Sequence, residues 1–125
     1  MSDSTESLYT RLGGYDAIAA VAGNLMGRLM ADGQLGRFWA HRSDDGLQRE
    51  KQLLIDFLCS STGGPLLYTG RDMVKTHRGM RISESDWSLF MGHVHDTLTE
   101  FAVPDTESGQ VAAFVESTKP DIVEA

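Results

Sequence analysis

The sequence predicts an all-α protein, and three observations carry that prediction. Apolar residues recur at gaps of three and four through every long segment, the period of a helix with one buried face. No run of period-two alternation is long enough for a strand, and neither a repeat nor a low-complexity tract interrupts the pattern. Gly13-Gly14, Asp32-Gly33, Gly63-Gly64-Pro65 and Ala102-Val103-Pro104 stand where one helix must stop before another begins.

Taken in order, residues 1–6 are polar and acidic and read as a disordered tail. Ser7 to Leu12 makes a short turn or helix, stopped by the glycine pair. From Tyr15 to about Met30 the apolar positions Ile18, Val21, Ala22, Leu25, Met26 and Leu29 mark an amphipathic helix that Asp32-Gly33 ends. Leu35 to Trp39 fits a short helical turn with a bulky aromatic pair. His41 to Gly46 is a polar loop in which Asp44 or Asp45 is placed to cap the next helix, Leu47 to Ser61. That helix carries one seam through Leu47, Leu54, Leu58 and Ser61, with Glu50 inside it, and a flanking seam of Leu53 and Phe57. Gly63-Gly64-Pro65 then breaks the chain, and a short helix from about Arg71 to Arg78 closes at Gly79. Ser83-Glu84-Ser85-Asp86 resembles a capping box. It opens a helix to about Phe101 with Trp87, Phe90, Met91, Val94, Leu98 and Phe101 on its apolar face. A last helix, about Thr106 to Thr118, carries Val111, Phe114 and Val115 before Pro120 kinks or ends it.

Length and charge narrow the function. At 125 residues the chain has room for one core, expected over 7–123. A net charge of −7 argues against nucleic acid and against an anionic membrane surface as partners. No apolar run approaches the roughly 20 residues of a membrane span. The polar start is unlike a signal peptide. Cys59 is the only cysteine, so a disulfide within the chain and a multi-cysteine metal site are excluded, and a reducing cytoplasm is the expected location.

The stretch that carries chemistry runs from Gly63 to Ile82. Near the end of its short helix sits His77, with Met73 one turn before it and Met80 and Ile82 just after. One imidazole among methionine and aliphatic side chains is what an axial haem ligand needs, a nitrogen donor in a slot that shields the ring. A core histidine explains the same residues when they are taken alone. His93 and His95 are two apart, diverge by about 200° on a helix, and cannot share a metal.

The chain as a whole resembles the truncated haemoglobins, most closely group I. The likeness rests on Leu8-Tyr9-x-Arg11-Leu12-Gly13-Gly14, Arg28-Leu29-Met30-Ala31-Asp32 and Phe38-Trp39. It continues through Thr62-Gly63-Gly64-Pro65, Tyr68-Thr69-Gly70-Arg71, Met73-x-x-x-His77 and Gly92-His93. The order and spacing of these motifs make it specific over nearly the full length. It implies a two-over-two helical sandwich enclosing one haem b, with main helices near 15–31, 45–61, 83–101 and 105–119. It implies His77 as the iron ligand and Tyr68, Met73, Met80 and Ile82 as proximal wall and haem edge. Trp39 or Phe38 would wedge against the porphyrin, Trp39 fitting better, while Trp87 and Phe90 pack from the late helix. For the anionic propionates, Thr69 offers a hydroxyl, and Arg71, Lys75, Arg78 and Arg81 offer cations of which at least two face solvent.

The distal side departs from the group I pattern. Members usually carry a Phe-Tyr pair in the first long helix, whose Tyr donates to bound dioxygen; Leu25-Met26 stands at the matching positions. Counting back from Gly63-Gly64-Pro65, the usual distal glutamine is Leu54, with Glu50 one turn earlier and Leu58 one turn later. Lys51-Gln52 would restore a polar pair only through a two-residue shift in register. The expected function is reversible binding of dioxygen, nitric oxide or carbon monoxide by a monomer. Nitric oxide dioxygenation with an external reductase, or weak peroxidase chemistry, is the enzymatic extension. The alternative is a redox or sensor haem protein with a six-coordinate iron, His41 or Lys51 supplying the internal ligand.

Overall fold

A computed structural model describes residues 7–40, 43–64 and 77–124. The tail at 1–6, His41, and the stretch from Pro65 to Thr76 with Tyr68, Thr69, Arg71, Met73 and Lys75 lie outside the described residues. No strand occurs among the described residues.

Ser7 caps α1 (Leu8–Leu12), its hydroxyl accepting from the Thr10 N–H at 3.1 Å. Five residues are too few to hold a helix alone. α1 is pinned instead by the Tyr9 N–H donating to the Thr62 carbonyl at 2.8 Å and by an Arg11–Glu107 ion pair at 2.8 Å. Gly13, at φ +112°, ends α1 and starts α2 (Gly14–Ala31), a conformation that a Cβ would strain. Ile18, Ala22, Leu25, Met26 and Leu29 are buried along α2, the stripe the periodicity predicts. The 3₁₀ turn Leu35–Trp39 follows.

α3 (Asp44–Ser61) begins earlier than expected, and its cap is Ser43, not Asp44 or Asp45. The Ser43 hydroxyl accepts from Gly46 N–H at 3.1 Å, which leaves both aspartates in the first turn, where the positive end of the helix dipole favours them. Its most buried side chains are Ile55 and Cys59, on neither predicted seam; they face Ile18 and Ala22 of α2 in a tight four-residue cluster. Burial pushes the Cys59 thiol up, as in a packing residue rather than a nucleophile. α3 ends in a Schellman stop: Gly64 N–H reaches the Cys59 carbonyl at 2.7 Å and Gly63, at φ +94°, reaches Ser60 at 3.3 Å. The Tyr9 ring lies so close that a Cβ on Gly64 would sit 2.5 Å from its Cδ1.

α4 (Glu84–Glu100) starts in a full capping box between Ser83 and Asp86. Trp87, Met91, Val94 and Leu98 are buried as expected, and so is Thr97, while Phe101 falls at the C-cap and is exposed. α5 (Asp105–Glu116) buries Val111 and Val115. Pro120 does not end the chain's helical course but sits in the first turn of α6 (Lys119–Ile122), where its missing N–H costs nothing. α2 packs on both α3 and α4, and α4 packs on α5. The larger core joins Leu25, Leu29 and Leu35 to Trp87, Met91, Val94 and Leu98, then to Val111, Val115 and Ile122. Each such side chain contributes about 1.5–3 kcal/mol by leaving water.

Two carboxylates fasten the 3₁₀ turn to its neighbours. Asp32, at the end of α2, accepts from the N–H groups of Gln34 (2.7 Å) and Leu35 (2.9 Å) and meets His93 Nε2 at 2.7 Å. The His93 contact first, then the two amides, hold its carboxyl down at about 2. Asp86, 1% exposed, accepts from Arg37 (2.8 Å), Gln34 (2.6 Å) and the Ser83 N–H (2.9 Å). Arg37 foremost, with Gln34 and Ser83, keeps it well below the usual carboxylate range against the opposing effect of burial.

Both pKa values are depressed in the folded state, so this stabilisation is present above about pH 4 and is lost as pH falls toward 2. Asp86→Asn should lower the unfolding free energy at pH 7 by about 2–3 kcal/mol, because Arg37 and Ser83 lose a charged acceptor. In urea titrations between pH 5 and 2.5 the variant should lose less stability than the unsubstituted chain; an equal loss would show that Asp86 is not a source of the acid sensitivity.

Candidate functional site

A cavity of about 630 Å³ opens inside this framework, within the range of cofactor sites. Its walls come from α2 and α3, from His77 to Ile82, from α4, and at the far end from α5 and α6. The predicted haem-facing residues among the described ones line it, whereas Lys51, Arg78 and Arg81 do not. Met26 comes from α2, Phe38 and Trp39 from the 3₁₀ turn, and Glu50, Leu54 and Leu58 from α3; His77, Met80, Ile82, Trp87 and Phe90 complete the set.

Several lining residues were not legible as such. Leu53 and Phe57 line the cavity with Leu54 and Leu58, so the two predicted seams of α3 are one broad stripe. Phe57 also stacks near Phe114 of α5, ring centroids 5.4 Å apart. Arg49, exposed, stands at the rim one residue before Glu50. Glu50 turns inward: it lines the cavity and its Oε2 is shut off from solvent. The register shift to Lys51-Gln52 is not what the structure has. Gln52 donates outward to Tyr15 Oη (3.1 Å) and Asp56 (2.9 Å). The Lys51 ammonium lies against Gly23, where an added Cβ would be 3.8 Å from Nζ, and Lys51 does not line the cavity.

The aromatic residues are held by neighbours rather than by the cavity alone. Phe38 and Trp39 meet edge to face at 6.2 Å, and the Arg37 guanidinium lies 4.2 Å over the Phe38 ring. Trp87 packs at a tilt against Phe90, ring centroids 5.1 Å apart, and donates its indole N–H to Glu116 at 3.1 Å. His93 is committed to Asp32 and His95 is exposed.

His77 is half-buried and is followed by a sharp turn. Met80 N–H donates back to the His77 carbonyl at 3.1 Å, Gly79 lies at φ +85° and Arg81 at φ +56°. The left-handed region costs a residue with a side chain about 1–2 kcal/mol, so Arg81 must be held there. The Glu124 carboxylate holds it, accepting from Gly79 N–H at 3.0 Å and Arg81 N–H at 2.7 Å. Those two amides, with the nearby Arg78 and Arg81 charges, keep the Glu124 carboxyl below its ordinary value. Arg78 and Arg81 are both exposed.

The bacterial-like globin family model matches residues 7–124. A group 1 truncated hemoglobin, GlbN of Mycolicibacterium paratuberculosis, is 32% identical over 116 residues, 93% of this chain and 83% of the relative. The chain belongs to the truncated haemoglobins. A group 1 truncated hemoglobin of Tetrahymena pyriformis is 26% identical over 94% of this chain and 95% of its own length. The crystal structure of truncated hemoglobin from Tetrahymena pyriformis, Fe(III) form, superposes with a TM-score of 0.87 at 25% identity, covering 96% of this globin and all of that chain. The fold is therefore the two-over-two helical sandwich, and family membership implies a haem cofactor and haem-based gas binding. The residues present fit such a group: a largely apolar cavity of cofactor size with, among the described residues, the half-buried imidazole of His77 on its wall. No helix among the described residues is long and apolar enough to cross a membrane.

Proposed function

We propose that this globin seats one haem b in the cavity with His77 as the iron ligand, and binds diatomic gas there as a monomer. The observation that carries this reading is the His77 imidazole on the wall of a largely apolar, cofactor-sized cavity in a chain of this family. Haem, when bound, supplies an iron with a further position at which dioxygen, nitric oxide or carbon monoxide binds. Met80 and Ile82 form the wall beside His77, and Phe38 and Trp39 pack the edge. Met26, Leu54 and Leu58 would exclude water from the cavity they line. Purified protein given haem should develop an intense Soret band that His77→Ala abolishes or strongly alters. No stoichiometric uptake by the unsubstituted chain would remove the reading. A low-spin ferric spectrum without added ligand would favour an internally ligated iron instead.

The distal wall sets the kinetics. A polar diatomic ligand held in the cavity would be retained by a hydrogen-bond donor on its wall, which Met26, Leu54 and Leu58 cannot offer. Glu50, when ionised, only accepts. Dioxygen release should therefore be fast. Met26→Tyr should slow it about tenfold, the equivalent of one added hydrogen bond of about 1.4 kcal/mol; stopped-flow displacement by carbon monoxide measures it. Nitric oxide dioxygenation would need an external reductase, since no flavin or nicotinamide motif occurs in the sequence. Nitrate formed on rapid mixing of the reduced, air-equilibrated protein with nitric oxide tests that extension.

A further inference from the structure

We propose that Glu124 is a positioning residue for His77: its carboxylate bridges the two backbone amides just beyond the imidazole and fixes the turn on which that imidazole is mounted. The inference rests on the haem reading of the cavity. Its geometry is closed on both sides. Glu124 accepts from Gly79 and Arg81 at 3.0 and 2.7 Å, and its own N–H donates to the Ile82 carbonyl at 2.9 Å. The segment delivering it is itself anchored, because Ile122, two residues earlier, is buried in the main core against α4 and α5.

The turn needs such a fastening. Gly79 and Arg81 both occupy left-handed backbone, which aims their N–H groups at one point. Without an acceptor there, Arg81 has no reason to keep a conformation unfavourable to its Cβ, and relaxation at 79–81 would rotate the chain two residues beyond His77. Partners that orient a ligating imidazole tune its bond to metal even though they never touch the metal. The sequence offers no hint of this contact, since Glu124 is 47 positions from His77.

The test uses the haem-loaded chain, Glu124→Ala and Glu124→Gln, with Glu100→Gln as a control that removes a carboxylate paired elsewhere, with Arg28. Two readouts are compared: amide hydrogen exchange of segment 77–82, and the iron–histidine stretching band of the ferrous protein by resonance Raman. In Glu124→Ala, exchange at Gly79 and Arg81 should quicken about tenfold or more, and the band should shift or broaden. Glu124→Gln, which keeps one acceptor oxygen, should lie between, and Glu100→Gln should match the unsubstituted chain. Should Glu124→Ala fail to fold, Glu124→Gln carries the same comparison. Unchanged exchange and an unmoved band in a haem-loaded Glu124 variant overturn the proposal. Failure of the unsubstituted chain to take up haem overturns the haem reading separately, and the role of Glu124 toward a ligand with it.

Discussion

A charge taken out of water must be met in full, and Asp86 is the charge around which one end of this molecule is arranged. With 1% of its surface exposed, its carboxylate requires donors from both the start of its own helix and a separate segment. Ser83 supplies the first; Gln34 and Arg37 supply the second. Because Arg37 and Gln34 belong to the 3₁₀ turn and its threshold, satisfying Asp86 draws Leu35, Phe38 and Trp39 onto α4. Asp32 repeats the device from the other side, capping the same turn while holding His93. The aromatic edge of the cavity is thus set by polar contacts behind it, with Asp86 itself reaching the cavity lining.

The same division of labour runs through the site. Most side chains that line the cavity are apolar, and several of them are oriented by contacts to residues that do not line it. Trp87 is turned by Glu116 and Phe38 is covered by Arg37. Two carboxylates reach the wall of this largely apolar space, Asp86, held by Arg37, Gln34 and Ser83, and Glu50 on α3. On the proposed haem reading, Glu50 would give this chain a distal face chemically unlike one that offers a phenol.

What the sequence made legible follows from range. The α2 stripe, the capping box at Ser83–Asp86 and the glycine stops depend on residues within a turn or two, and the structure has them where the spacing puts them. His77 and the cavity-lining residues came from the order of motifs along the chain. Two features of α3 were misread for one reason: it has two faces, one toward α2 and one toward the cavity. A single seam cannot describe both, so Ile55 and Cys59 were missed and the cavity stripe was split. Ser43 was passed over because the two aspartates after it satisfy the same local rule. The contacts of Asp32 with His93 and Glu124 with Gly79 join distant positions, and no periodicity encodes them.

The core is divided, and the division has a thermodynamic consequence. Ile18, Ala22, Ile55 and Cys59 form a seam between α2 and α3 that is separate from the larger cluster bordering the cavity. Ala22 and Cys59 are fully buried in it, so its packing is complete without anything in the cavity. The helices opposite, α4 to α6, pack around the space that a haem would fill. A group bound in the cavity would therefore meet an α2–α3 seam whose packing owes nothing to it.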